Sequence, residues 1–307
     1  MPSSLSRRQA LSTAGLAAGA ALLSQPAAAA PKNPFTLCLN MSTIMGQKLG
    51  FVKELETAAA AGFRSVEIWI PTLQTYLSRG GTLADARKRL GDLGIQVENA
   101  IGFAKWIVDD EPERSKGVEQ LKREMDMVAQ LGGRRIATPP MGATDKPGLD
   151  LRLAAERYRT ILDLGVQSGV IPQLELWGFS QNLKRISEVL FVAAESGHPS
   201  ARLLLDVYHI YKGGSSPDSL SLVGKPAVEI FHVNDYPNIA PATIVDADRV
   251  YPGDGIAPVQ TILKAIKNPE RPVVLSLEVF NKSYYAQDAA LVAKTAMAKM
   301  KKMVEGV

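Results

Sequence analysis

A (β/α)8 barrel is the fold class this sequence predicts, on three observations. Eight short apolar runs of strand character alternate with eight helix-like segments. Four runs in the second half each end on a metal-capable side chain, at Leu174-Glu175, Leu203-Leu204-Leu205-Asp206, Ile230-Phe231-His232 and Leu277-Glu278. No G-x-G-x-x-G or G-x-x-x-x-G-K spacing is present to supply the phosphate loop of a doubly wound open sheet. Apolar runs closed by a polar residue read as parallel strands buried on both faces, and a barrel keeps its chemistry at their carboxyl ends.

The strands are expected at 35–39, 65–69, 96–98, 135–138, 171–176, 202–205, 228–232 and 273–277. Helical patterns fall between them at 47–61, 83–93, 114–131, 149–169, 181–196, 257–266 and 286–303, with a short irregular piece near 216–222. Ala61-Gly62 and Leu93-Gly94 end two helices on the glycine that supplies a left-handed cap before a short turn. The stretch 237–256 has neither period, and a loop of that size following a barrel strand is usually functional or disordered. At 307 residues and 46% hydrophobic, the chain is large enough for one big core or two small ones, and no repeat or low-complexity linker divides residues 31–307.

Ahead of the barrel, Ser6-Arg7-Arg8-Gln9 precedes a soft apolar run over 11–23, and Ala27-Ala28-Ala29 supply the small residues of a cleavage site. This resembles a twin-arginine export signal over residues 1–29, leaving the barrel domain at 30–307. Ala10 stands where that pattern usually carries a large apolar residue, so the general export route stays open. The run is too short to span a bilayer. The expectation is a periplasmic or secreted protein that meets the twin-arginine export machinery and has no membrane attachment after cleavage. The net charge of +4 includes Arg7 and Arg8, and no basic stripe with interleaved aromatics supports nucleic-acid binding. The single Cys38 lies in an apolar strand and reads as a small buried hydrophobe.

Glu175, Asp206, His232 and Glu278 close four consecutive strands, the fifth to the eighth, whose neighbours lie about 4.8 Å apart. Their side chains can converge on one ion. Three carboxylates and an imidazole form an oxygen-rich site, suited to one divalent metal with positions left for water or substrate oxygens. Mn2+ is the expected ion, with Mg2+, Co2+, Fe2+ and Zn2+ as alternatives. Without a cation, three acids in one barrel mouth would repel and raise each other's pKa.

At these residues the chain resembles the xylose isomerase-like sugar phosphate isomerases and epimerases. The matching pieces are LELWG with Glu175, LLLDVYHIYKGG with Asp206 and His209, FHVND with His232, ADRVYPGDG, and LSLEVF with Glu278. The resemblance covers residues 35–305 and implies a divalent metal on Glu175, Asp206, His232 and Glu278. It also implies that Glu175 and Glu278 are the acid/base pair on opposite faces of a ketose, and that His209 contacts a substrate oxygen. Elementary chemistry agrees, since a metal chelating a carbonyl and its neighbouring hydroxyl acidifies the α-carbon proton, which a carboxylate can move.

Arg249 is a further candidate for holding a substrate oxygen through its fork, and Trp69, Phe103, Trp106 and Trp177 for stacking on a sugar face. Asp235 is the expected acceptor for the ring of His232. Two departures from ketose 3-epimerases stand out: Gln181 replaces a glutamate six residues after the first ligand, and Arg249 lies 17 residues beyond His232. Phosphorylated sugars are scarce outside the cytoplasm, and no basic phosphate cradle is evident. The expected reaction is therefore isomerisation or epimerisation of a free ketose, keto-polyol or oxidised glycoside. A lyase or dehydratase on a keto-sugar or inosose shares its first half-reaction, and a metal-assisted carbohydrate-binding protein without turnover is the third reading. The partner is a small-molecule carbohydrate. The sequence leaves a homo-oligomer open.

Overall fold

The computed structural model describes residues 33–307, so the export signal expected at 1–29 lies outside the described residues. Eight parallel strands form the sheet: β1 Phe35–Asn40, β2 Ser65–Trp69, β3 Gln96–Ile101, β4 Arg135–Thr138, β5 Ile171–Glu175, β6 Leu203–Asp206, β7 Ile230–Val233 and β8 Val273–Leu277. Their hydrogen-bonded order is β3-β2-β1-β8-β7-β6-β5-β4, and β4 lies against β3 to close the ring. Every expected strand is present, with ends moved by at most a few residues.

Two apolar layers hold this arrangement. Cys38, Ile101, Ala137, Leu204, Ile230 and Val274 fill the barrel interior, where Cys38 is fully buried as expected of a small hydrophobe. The larger layer lies between the strands and the helices, and includes Leu39, Val66, Leu174, Leu205, Phe231 and Leu277 from the sheet. Such runs bury apolar surface on both faces of a strand, which is why their sequence is nearly continuous rather than alternating.

The surrounding helices are α1 Phe51–Ala60, α2 Ile70–Ser78, α3 Leu83–Leu93, α4 Glu111–Gln130, α5 Leu151–Ser168, α6 Ile186–Glu195, α7 Val207–Lys212, α8 Val259–Ile266, α9 Lys282–Tyr285 and α10 Ala289–Val304. The helix expected from residue 47 begins at Phe51, because a 3-10 turn over Met41–Gln47 ends at Lys48 in the left-handed region with φ 54°. The helix expected from 181 begins at Ile186, after Leu183 at φ 55°. Helix α2 was not expected; it opens with Pro71 in its first turn, where the missing amide costs nothing. The stretch 237–256 holds one 3-10 turn, Asp246–Asp248, and a single antiparallel bridge between Asp235 and Val250. No helix among the described residues is long and apolar enough to cross a membrane.

Candidate active site

The carboxyl ends of β5 to β8 bring the expected acids and histidine together. Asp206, His232 and Glu278 each place a ligand atom within 4.8 Å of the others, and all three are buried. His232 Nδ1 lies 3.2 Å from Glu278 Oε2 and 3.8 Å from Asp206 Oδ2. Glu175 stands outside that tight group but lines the same cavity of about 290 Å3 with Glu278, His209 and Arg249.

Among the described residues, three buried polar atoms of this centre have no hydrogen-bond partner: His232 Nδ1, Glu175 Oε2 and the donor Arg249 Nε. Buried orphans of this kind are uncommon and call for a cation, water or ligand. His232 Nδ1 with the carboxylates of Asp206 and Glu278, and Glu175 on the same cavity as Glu278, make a donor set of one nitrogen and several carboxylate oxygens, which fits a divalent metal.

Each acid is held by its own neighbours. Asp206 caps α7, its Oδ1 accepting from the His209 amide at 2.8 Å, while Oδ2 accepts from Asn234 Nδ2 at 3.0 Å. Asn234 also donates to the Glu278 carbonyl at 3.2 Å, so the asparagine of the FHVND run ties β6 to β8. Glu278 Oε1 accepts from Asn40 Nδ2 at 3.0 Å.

Arg249 is fully buried and reaches the centre from the 237–256 stretch. Its Nη1 donates to Glu278 Oε2 at 2.7 Å and to Asp206 Oδ2 at 3.2 Å, and its Nη2 donates to Asp246. The guanidinium lies over the rings of Tyr208 at 4.3 Å and Phe280 at 5.0 Å. Its carbonyl accepts from Asn281 Nδ2 at 3.0 Å. The fork expected to hold substrate is thus largely engaged with the protein's own carboxylates.

His209 Nδ1 faces the Gly178 amide at 3.2 Å. Its Nε2 faces the donor-only Arg249 Nη2 at 3.1 Å, so a neutral ring accepts at one of these two nitrogens and carries its proton on the other. Burial, reinforced by the Arg249 charge, pushes the pKa of His209 well below its ordinary value, so the ring is neutral. Only glycine fits at 178, because a Cβ there would lie 2.3 Å from the His209 carbonyl oxygen.

Charges in the centre diverge. Burial pushes Glu175 up to about 8, with His232 opposing and Glu278 adding to the rise. Burial also works against the charged form of Glu278, but His232 and Arg249 together hold it well below the usual carboxylate range. Asp206 is raised, its burial outweighing Arg249. His232 is raised well above the ordinary histidine value, since Glu67 and Glu278 on its two sides override its burial.

The ring of His232 is not held by Asp235. That carboxylate accepts the amides of Tyr236, Gly253, Gly255 and Ala257 and so shapes the PGDG turn. The acceptor at His232 Nε2 is Glu67 of β2, at 2.9 Å. Its only trace in the sequence is a lone carboxylate between Val66 and Ile68 in a doubly buried strand.

Three of the four expected aromatics do line the cavity: Trp69, Phe103 and Trp177, joined by Phe179 and Phe280. They form an arc of touching rings, with Trp69 5.4 Å from Phe103, Phe103 6.4 Å from Trp177 and Trp177 5.2 Å from Phe179. Trp106 is instead fully buried, donating to the Pro139 carbonyl and packing against Tyr158, so it belongs to the core. Gln181 is exposed and does not line the cavity.

A family model described as xylose isomerase-like TIM barrel matches residues 55–303. Inosose isomerase of Bacillus velezensis is 26% identical over 267 residues, covering 85% of this chain and 94% of that protein. A crystal structure of IOLI protein with a binding zinc atom superposes with a TM-score of 0.80 at 22% identity, covering 88% and 98% of the two chains. A structure of L-ribulose 3-epimerase has a TM-score of 0.70 at 19% identity, covering 88% of this chain and 95% of that one.

Proposed function

Because this chain belongs to the xylose isomerase-like TIM barrel family, we propose that it is a divalent-metal-dependent isomerase or epimerase of a free keto-sugar or keto-polyol. The observation that carries this reading is the placement of two glutamates, Glu175 and Glu278, on one cavity beside a buried Asp-His pair. The likeness to a protein named inosose isomerase supports a cyclic or open-chain ketone as the substrate class.

Asp206, His232, Glu278 and Glu175 would hold the ion, Mn2+ by the hardness of three carboxylates, although the IOLI structure carries zinc. When bound, the ion supplies Lewis-acid stabilisation of negative charge developing on adjacent substrate oxygens. The aromatic arc from Trp69 to Phe179 presents apolar faces to the C–H face of a sugar ring and narrows the cavity to about 290 Å3. That enclosure orients the α-carbon between the two glutamates.

Glu278, kept ionised by His232 and Arg249, is the group fit to remove the α-proton. Glu175, which burial pushes up to about 8 in the absence of an ion, is the second carboxylate of the cavity and is placed to exchange a proton on the opposite face of the enediolate. His209, on the cavity wall, is placed to meet a substrate oxygen. Among the described residues, the one cationic side chain lining the cavity, Arg249, is already paired with Asp206, Glu278 and Asp246, which speaks against a phosphorylated substrate.

Proton NMR in deuterated water, with the Mg2+-loaded protein and a panel of ketoses, inososes and 3-keto-glycosides, tests this. Deuterium at the carbon α to the carbonyl, with the sugar skeleton kept, is the expected result. A new vinyl signal or a released aglycone would replace isomerase by lyase, and no exchange with any member of the panel would defeat the reading.

A further inference from the structure

The centre of the barrel holds one fully buried acid that the proposed chemistry does not use. Glu67 has no exposed surface, and its carboxylate is surrounded by donors from four other strands. Asn40 Nδ2 of β1 donates to Oε2 at 2.8 Å, Ser276 Oγ of β8 to Oε2 at 2.6 Å, and Asn99 Nδ2 of β3 to Oε1 at 2.6 Å. His232 Nε2 of β7 completes the set, 3.0 Å from Oε1 and 2.9 Å from Oε2.

The backbone is adjusted for this meeting. The β2–β3 pairing shifts register between Val66 and Glu67, so that Val66 faces Val97 but Glu67 faces Asn99. The residue passed over, Glu98, binds Ser65 and Arg135 lower in the barrel. Bulges of this kind re-aim side chains beside functional sites.

We infer that Glu67 is the positioning residue for metal ligation by His232, holding the Nε2–H so that Nδ1 presents its lone pair to the space between Asp206 and Glu278. The inference rests on the reading of that space as a metal centre. A carboxylate is an acceptor only, so Glu67 holds the hydrogen on Nε2, and with an ion in place Nδ1, 3.2 Å from Glu278 Oε2, is the nitrogen left to ligate it. Nδ1 makes no hydrogen bond and lies 3.2 Å from Glu278 Oε2 and 3.8 Å from Asp206 Oδ2, the carboxylates that would share the ion. Three further donors on Glu67 fix its plane and hence the plane of the ring.

The same network reaches a second ligand and the cavity wall. Asn40 Nδ2 spans Glu67 and Glu278 Oε1, while its Oδ1 accepts from Trp69 Nε1 at 2.8 Å. One buried amide thereby sets the position of a ligand carboxylate, an aromatic of the arc and the acid behind the histidine. Carboxylates placed behind metal-binding histidines typically carry 10- to 100-fold in metal affinity.

The test is calorimetric titration of the metal-stripped protein with Mn2+ alone, for the wild type, Glu67→Gln and Ser276→Ala, with thermal melts recorded beside it. Proton NMR of the Zn2+-loaded forms supplies a second readout, the His232 Nε2–H resonance, which a purely structural role would leave in place. Glu67→Gln is expected to lose about 10- to 100-fold in Mn2+ affinity and to move that resonance upfield. Ser276→Ala, which keeps the carboxylate but removes one of its donors, is expected to lose several-fold, and it decides the matter if Glu67→Gln does not fold. Unchanged Mn2+ affinity in folded Glu67→Gln, or in Ser276→Ala where the first variant fails to fold, would overturn the role of Glu67 while leaving the metal centre standing. Absence of Mn2+ and Zn2+ binding by the wild type would overturn both.

Discussion

At the floor of the barrel Glu229 is clasped by Arg135 and Arg202, whereas at the mouth Glu175 keeps a buried carboxylate oxygen with no partner. Arg135 Nε and Arg202 Nε reach the two oxygens of Glu229 at 2.7 and 2.9 Å, and Arg135 continues to Glu98 at 3.3 Å. Burial alone would raise Glu229, but the two arginines hold it below the ordinary carboxylate value. Burial raises Glu175 to about 8 because the nearest charges partly cancel. Both ends bury acids. The floor pairs Glu229 with two of the chain's own cations, whereas at the mouth Arg249 pairs Asp206 and Glu278 but Glu175 Oε2 keeps no partner.

The sharpest break in this contrast is Glu278→Gln, which removes the ionised base. It is expected to lower kcat/KM by about 10²- to 10⁴-fold with the fold kept, as checked by steady-state kinetics and circular dichroism. Next, Asp206→Asn is expected to weaken Mn2+ binding by more than about 100-fold, since a direct ligand should matter more than a group behind one. A titration showing wild-type affinity would remove Asp206 from the ligand set.

The two acids should then respond to pH with opposite signs. Glu175 is raised, so its contribution is full below the unfolded carboxylate value and is lost as the pH climbs to about 8. In chelator-treated protein, Glu175→Gln should therefore gain on the order of a few kcal/mol over wild type at pH 9, and nothing near pH 4. Denaturant melts at both pH values check this. Glu229 is lowered, so its contribution is present above the unfolded value and is lost as the pH falls through the folded one. Glu229→Gln should cost on the order of 2 kcal/mol at neutral pH, moderated because its side chain is 22% exposed. Its Mn2+ affinity should match wild type, and a loss there would mean that the two ends are coupled. The smallest effect is expected from Trp69→Leu, about a fivefold rise in KM, or roughly 1 kcal/mol of lost ring contact, whereas Trp106→Phe should leave KM unchanged.

Much of the mouth was legible because parallel strands announce themselves as apolar runs, and the residue ending each run is placed by the fold rather than by local detail. Glu175, Asp206, His232 and Glu278 were found on that ground, and the structure brings three into one tight group with the fourth on the shared cavity. The partners around them were not legible. Glu67 depends on a register shift between β2 and β3 that no spacing in the sequence marks, so nearby Asp235 was the expected acceptor instead. Trp106 has the composition of a cavity aromatic, but whether a ring after a strand turns inward is set by tertiary packing. Arg249 was identified, yet its engagement with Asp206 and Glu278 follows from the path of a long loop that carries no periodic signal.

The most direct measurement is anomalous diffraction from crystals grown with Mn2+. The account predicts a single strong peak at the mouth, touching Asp206, His232 Nδ1, Glu278 and Glu175, with His232 Nε2 still on Glu67. Mn2+ bound elsewhere, or no peak with Arg249 still bridging Asp206 and Glu278, would contradict it.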